Sequence, residues 1–231
     1  MFLIGGPAYS GTTLLALMLN QEGVTCLNEP DFHDPEQSHN GLPVLAKLYP
    51  DRSFPKRTDN ALTLVQAFEL MHTCQEAIRP DRLGVKFCNQ IFVDFAHLFK
   101  EAGLPVVAII RDIRDSLVRP LLPYVGGGSG LIQRYRTVWQ ERDLYDAVVR
   151  YEDLTTEASK VIGEISRAID CPLTVRSEWH PGEVPGSMMY PRYRHYLLQS
   201  GRISRQRVGV WKDSGKRIST AAHELAREMG Y

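Results

Sequence analysis

Ile4-Gly5-Gly6-Pro7-Ala8-Tyr9-Ser10-Gly11-Thr12-Thr13-Leu14-Leu15 links one short apolar run to another. Gly6 and Gly11 hold the spacing of a G-x-x-x-x-G-K-[ST] phosphate loop, but Thr12 stands where the lysine belongs. A strand, a glycine turn and an apolar helix aim unpaired backbone N–H groups at one point, where the positive end of the helix dipole favours an anion. The hydroxyls of Ser10, Thr12 and Thr13 add donors without charge, so hydrogen bonds more than Coulomb attraction should hold the ligand. Triphosphate chemistry, which relies on that lysine and on magnesium, is disfavoured.

Outward from the loop, short apolar runs alternate with helix-period segments, which predicts an α/β fold with a parallel sheet flanked by helices. Strands are expected over residues 2–4, 24–27, 83–87, 106–110 and 147–151, about five in all, with the nearly continuous apolar character of strands buried on both faces. Helices are expected over 12–21, 61–77, 91–102, 114–122, 131–142, 155–169 and 219–229. Val161, Ile162, Ile165 and Ile169 form one helical stripe, an ordinary core face. A single domain over residues 1–231 is the expectation, with loop insertions near 28–60, 123–130 and 171–204; the glycine run near Gly127 suits either a lid or a surface turn.

The 231-residue chain carries 27 basic and 27 acidic side chains, so no global field recruits nucleic acid or an anionic membrane. Cys26, Cys74, Cys88 and Cys171 are scattered without a C-x-x-C pair, which favours reduced thiols over zinc or a disulfide framework. No apolar run approaches membrane-spanning length, and a cytoplasmic protein is expected.

A second anion site is written in Val106-Val107-Ala108-Ile109-Ile110-Arg111-Asp112-Ile113-Arg114-Asp115. It puts a guanidinium at the carboxyl end of a buried strand, where open α/β sheets bind ligands, and the planar fork of arginine suits phosphate. Asp112 after an apolar strand also allows a magnesium-binding reading, weakened by the missing loop lysine.

Together these stretches resemble the sulfotransferases that use 3′-phosphoadenosine 5′-phosphosulfate (PAPS). Ser10-Gly11-Thr12-Thr13-Leu14-Leu15 is similar to the family's 5′-phosphosulfate loop, [KR]-S-G-T-[TS]-L-[LM], and Arg111-Asp112-Ile113-Arg114-Asp115 to its 3′-phosphate motif. Val149-Arg150-Tyr151-Glu152-Asp153-Leu154 resembles the segment whose tyrosine lies against adenine, and Arg207-Val208-Gly209-Val210-Trp211-Lys212 a segment beside the cofactor. The resemblance implies a P-loop-like fold, PAPS as donor, 3′,5′-bisphosphate (PAP) as product and no metal. It implies cofactor contacts from Ser10, Gly11, Thr12, Thr13, Leu14, Arg111, Arg119, Tyr151, Trp211 and Lys212, although Tyr151 and Trp211 equally suit packing roles. Two positions depart from the pattern: Tyr9 replaces the basic residue before the serine, and Arg119 replaces the serine that grips the 3′-phosphate.

Lys86, in a strand that resembles the family's lysine-bearing strand, is the leading catalytic cation; Phe87-Cys88 follows it in place of the histidine base of the cytosolic branch. Glu29 lies where the branch that sulfates protein tyrosines has a glutamate, and becomes a base if burial raises its pKa; otherwise it is a loop acid or a partner for Lys86. His33 is the other candidate base, and the hydroxyl of Tyr9 a candidate donor to the leaving oxygen, with Arg119 or Lys86 supplying charge. Asp31, His33, Asp34 and His39 are more simply solvated than metal-ligating. The expected acceptor, unidentified by the sequence, is a small molecule or carbohydrate, with a peptide as a further option; residues 188–196 offer it apolar, aromatic and basic contacts or equally form a packed loop. A P-loop kinase of a small metabolite and a PAPS-binding protein with weak or lost catalysis are the alternatives.

Overall fold

The computed structural model describes residues 1–30, 41–55, 62–119, 126–175 and 207–231. Five parallel strands form one sheet: β1 (Phe2–Gly6), β2 (Val24–Asn28), β3 (Arg82–Cys88), β4 (Val106–Ile110) and β5 (Ala147–Arg150), in the order β2-β3-β1-β4-β5. From β1 the chain moves first toward β2 and later crosses to β4, so the order reverses between β1 and β4. That is the crevice where open α/β sheets take ligands. Register brings Gly6 beside Cys88, Asn28 beside Lys86 and Ile110 beside Arg150, so the motifs leave the sheet at its carboxyl edge.

Alternation along the strands sorts the core onto two faces. Leu3, Leu83, Val85, Phe87, Val106 and Ala108 meet α3 (Leu64–Ala77) and α4 (Asn89–Glu101). On the opposite face Phe2, Ile4, Val107 and Ile109 meet α1 (Thr12–Leu19) and α8 (Ala158–Ala168). Lys86 alternates with Val85 and Phe87 and therefore belongs to the opposite face, the one that α1 covers. Phe92, Phe95 and Phe99 on α4 are fully buried, each contributing about 1.5–3 kcal/mol of transfer free energy, which anchors α4 and the residue at its start, Asn89. A third cluster at the carboxyl edge joins α5 (Ile113–Leu117), α6 (Gly127–Gln140) and α9 (Thr220–Glu228) with partly buried Ala8 and Tyr9.

Several boundaries differ from those the sequence predicts. Tyr151, expected as the last strand residue, opens α7 (Tyr151–Thr156), because Arg150 makes the last ladder pair with β4 and Tyr151 has no strand beside it. The helix expected over 155–169 is broken at Glu157 into α7 and α8, with its apolar stripe buried as read. Within the insertion expected at 123–130, Gly127–Gly130 forms the first turn of α6 after a left-handed Gly126, φ 78°; burial of Leu131, Tyr135 and Val138 recruits glycines that have little helix preference of their own. The lid reading of that run gives way to a helix start. The 28–60 insertion holds the short helix α2 (Leu42–Leu48), with Val44 and Leu45 in the core. No helix among the described residues is long and apolar enough to cross a membrane.

Candidate functional site

Gly6 and Gly11 are required by contact as well as by backbone shape. A Cβ on Gly6 would lie 2.2 Å from the carbonyl oxygen of Ile109, so only glycine lets β1 turn against β4. Gly11 has φ 102° and caps α1 without any side-chain hydrogen bond, leaving the first amides of that helix to a ligand or water. The Ser10 hydroxyl is buried in the same turn with no partner among the described residues. Thr12 is buried, its hydroxyl 3.3 Å from the Cys88 thiol; Thr13 sits in the first turn, and Leu14, partly buried, packs against the core. Asn89, which sequence reasoning missed, stands left-handed at φ 58° and accepts the Ala8 N–H at 2.9 Å, tying the loop to α4.

Tyr151 joins this turn to the second motif. A Cβ on Gly11 would come within 2.4 Å of the Tyr151 ring, and the Arg111 guanidinium carbon lies 4.5 Å from the centroid of that ring. One aromatic ring therefore separates the glycine turn from the arginine. Tyr151 is buried, and its ring fills the space between the turn and the guanidinium.

Arg111 is only 2% exposed and is engaged by the protein itself. It donates to the carbonyl of Arg207, lies 3.6 Å from Asp115 Oδ2, and leaves Nε without a partner among the described residues. Asp115, for which sequence reasoning found no role, is buried and accepts N–H groups from Gly209 at 2.7 Å and Trp211 at 3.1 Å. Asp112 caps α5 and chelates Arg114, whose plane covers the Trp211 ring at 4.4 Å; Trp211 meets His223 edge-on. The Trp211 ring thus has Arg114 and His223 against it, and Lys212 is exposed beside it. Glu152 accepts from the Asp112 amide and the Tyr231 hydroxyl, and burial pushes its carboxyl up.

The structure brings Lys86 and Glu29 together at 2.7 Å. The lysine side chain is 3% exposed and the glutamate 35%, so an incoming molecule meets the carboxylate first. Burial works to raise the Glu29 pKa, but the Lys86 charge and hydrogen bonds from Lys86 and Cys88 outweigh it, and the net direction is down. Burial likewise pulls Lys86 down, while Cys88 and Glu29 outweigh it and hold the ammonium charged well above its ordinary range. The Cys88 thiol is pushed up by burial. The condition set on Glu29 as a base, a raised pKa, is not met; it is an ionised partner of Lys86. Buried Asn28, whose Oδ1 has no partner among the described residues, ends β2 beside them.

Tyr9 is left-handed, φ 67°, and its ring faces the third core cluster, with the Arg119 guanidinium carbon 5.7 Å from the ring centroid. His33 and its neighbours Asp31, Asp34 and His39, and the acceptor-contact segment 188–196, lie outside the described residues.

No protein-family model matches the chain. No curated protein matches it either. Among solved structures it is similar to mouse sulfotransferase SULT7A1 complexed with PAP, at 12% identity and a TM-score of 0.46 over 99% of this chain and 81% of that one. It is also similar to a sulfotransferase from Alicyclobacillus acidocaldarius, at 15% identity and a TM-score of 0.41 over 85% of this chain and 88% of that one.

Proposed function

We propose that this protein transfers a sulfuryl group from PAPS to a hydroxyl or amine of a small-molecule, carbohydrate or peptide acceptor. The observation that carries the reading is Tyr151, one ring in contact with both Gly11 and Arg111 at the switch point of the sheet. Two anion-competent groups that close suit one nucleotide phosphorylated at two positions, whereas an ordinary P-loop substrate has a single phosphate chain. The unpartnered Ser10 hydroxyl and Arg111 Nε, and a glycine turn that a Cβ would fill, are consistent with an anion at each end.

When bound, PAPS supplies a sulfuryl group joined to its 5′-phosphate through an anhydride. Ser10 and the amides of Gly11, Thr12, Thr13 and Leu14 would hold the 5′ end, and Arg111, with Trp211 and Lys212, would hold the 3′-phosphate. Glu29, the reachable member of its pair, would accept a hydrogen bond from the acceptor and orient it, and Lys86 keeps that carboxylate ionised and placed. A base held below its ordinary pKa abstracts a proton with little driving force, so modest turnover is expected. The scattered, unpaired cysteines suit a reducing, cytoplasmic setting.

Thermal unfolding tests the reading. PAPS and PAP raise Tm, ATP with magnesium does not, and Arg111→Ala removes most of the gain. Stabilisation by ATP with magnesium would favour a kinase, and unchanged PAP affinity in Arg111→Ala would remove the 3′-phosphate assignment. Tyr9 and the lowered Glu29 pKa favour a second reading, nucleotide binding without turnover, which tight PAP binding with no transfer across an acceptor screen would establish.

A further inference from the structure

Cys88 touches both halves of the site and has no part in the function proposed above. Its thiol lies 3.3 Å from the hydroxyl of Thr12, the first residue of α1. It also shares hydrogen bonds with Lys86 and Glu29, which are themselves 2.7 Å apart. The strand accounts for this placement. Cys88 follows Lys86 by two residues in β3, so both side chains rise from the face that α1 covers, and Gly6 pairs with Cys88 where β1 passes into the glycine turn. One thiol therefore bridges the first residue of the anion turn and the Lys86–Glu29 pair.

A thiol has a single proton to share among these partners. The Lys86 ammonium only donates, so the sulfur receives its N–H; Glu29, held ionised, only accepts; the Thr12 hydroxyl can do either. The thiol proton thus points to Glu29 or to Thr12, never to both. We propose that Cys88 is a positioning residue that couples the glycine turn to Glu29. With the turn empty, the thiol donates to Glu29 and the Thr12 hydroxyl donates to the sulfur. An anion in the turn draws the Thr12 hydroxyl to itself, the Thr12 oxygen then accepts the thiol proton, and Glu29 is left with a lone pair for the acceptor. The carboxylate loses one hydrogen bond to an ionised group while the anion gains another, so the exchange is nearly balanced. Donor first and acceptor second is the order of binding that results. The coupling rests on the turn taking an anion, as in the function proposed above.

Infrared difference spectra of the full chain at neutral pH read the thiol proton directly, because the stronger bond to a carboxylate lowers the S–H stretch more than a bond to a hydroxyl does. Loss of one band in Cys88→Ala identifies it among those of Cys26, Cys74 and Cys171. Saturating inorganic phosphate should move the Cys88 band to higher frequency, and adenosine 5′-monophosphate should do the same. Adenosine 3′-monophosphate, held at Arg111, should leave it in place. Thr12→Val should abolish the movement and Thr12→Ser should restore it, which a merely structural thiol would not show. A band unmoved by bound phosphate, moved equally in Thr12→Val through the field of the anion alone, or moved by the 3′ and not the 5′ nucleotide would overturn the proposal. Calorimetric titration alongside separates the two readings: movement with phosphate but no binding of 5′-monophosphate would keep the coupling and remove the nucleotide, whereas binding of neither would remove both.

Discussion

The glycine turn and the Arg111 pocket lie one aromatic ring apart, yet they are built in opposite ways. At the turn the donors are neutral and left open: α1 has no side-chain cap, and the Ser10 hydroxyl lacks a partner among the described residues. At Arg111 the cation is enclosed and answered by the chain's own Asp115 and by a carbonyl. The difference follows from desolvation. Uncharged amides at a helix start cost little to leave to water, whereas a buried guanidinium without an anion costs several kcal/mol. An anion at the turn therefore gains contacts, while one at Arg111 has to compete with Asp115 and the segment from Arg207 to Trp211.

Removing the internal anion breaks this contrast most severely. Asp115→Ala leaves Arg111 uncompensated and frees two amides, so it should cost roughly 3–5 kcal/mol in urea unfolding. Because the competitor is gone, PAP should recover more Tm in this variant than in the wild type; an equal or smaller recovery would mean that Asp115 does not compete with the ligand. Gly11→Ala perturbs the open end. Its new methyl meets the Tyr151 ring at 2.4 Å from a left-handed backbone, which should cost about 2–3 kcal/mol by crowding and strain together. It should also weaken 5′-monophosphate more than 3′-monophosphate, and uniform weakening would show that Tyr151 couples the two ends rigidly.

Glu29→Gln should have the smallest effect on stability, about 2 kcal/mol, because water reaches the carboxylate while Lys86 stays covered. Its signature is in the pH dependence. The Glu29 pKa is lowered from 4.5, so its contribution is present above pH 4.5 and is lost as pH falls through the lowered value. Lys86 is raised from 10.5, so its contribution is present below pH 10.5 and is lost as pH rises through the raised value. In Glu29→Gln both limbs should flatten, and a wild-type acid limb retained in the variant would assign that limb to other carboxylates.

Much of the architecture was readable because apolar runs and glycine spacing are local signals. The five strands, the glycine turn and the arginine at the end of β4 needed no knowledge of the sheet order. Helix limits were read less well where tertiary contacts overrode local preference: the glycine-rich stretch 127–130 is helical because Leu131, Tyr135 and Val138 are buried, and Tyr151 leaves the sheet for want of a neighbouring strand. Asn89 and Asp115 were missed because their importance lies in what they accept from distant amides, Ala8 in one case and Gly209 with Trp211 in the other.

Residue types and their spacing were enough to say that this chain makes a parallel α/β sheet with an anion turn lacking its lysine and an arginine at a strand end. The folded arrangement alone decided that Lys86 and Glu29 neutralise each other, that Arg111 already has an internal anion, and that Arg119 meets Tyr9. Backbone preferences act over a few residues and are written in order along the chain, whereas the state of a charge depends on whichever groups the fold brings within a few ångströms of it.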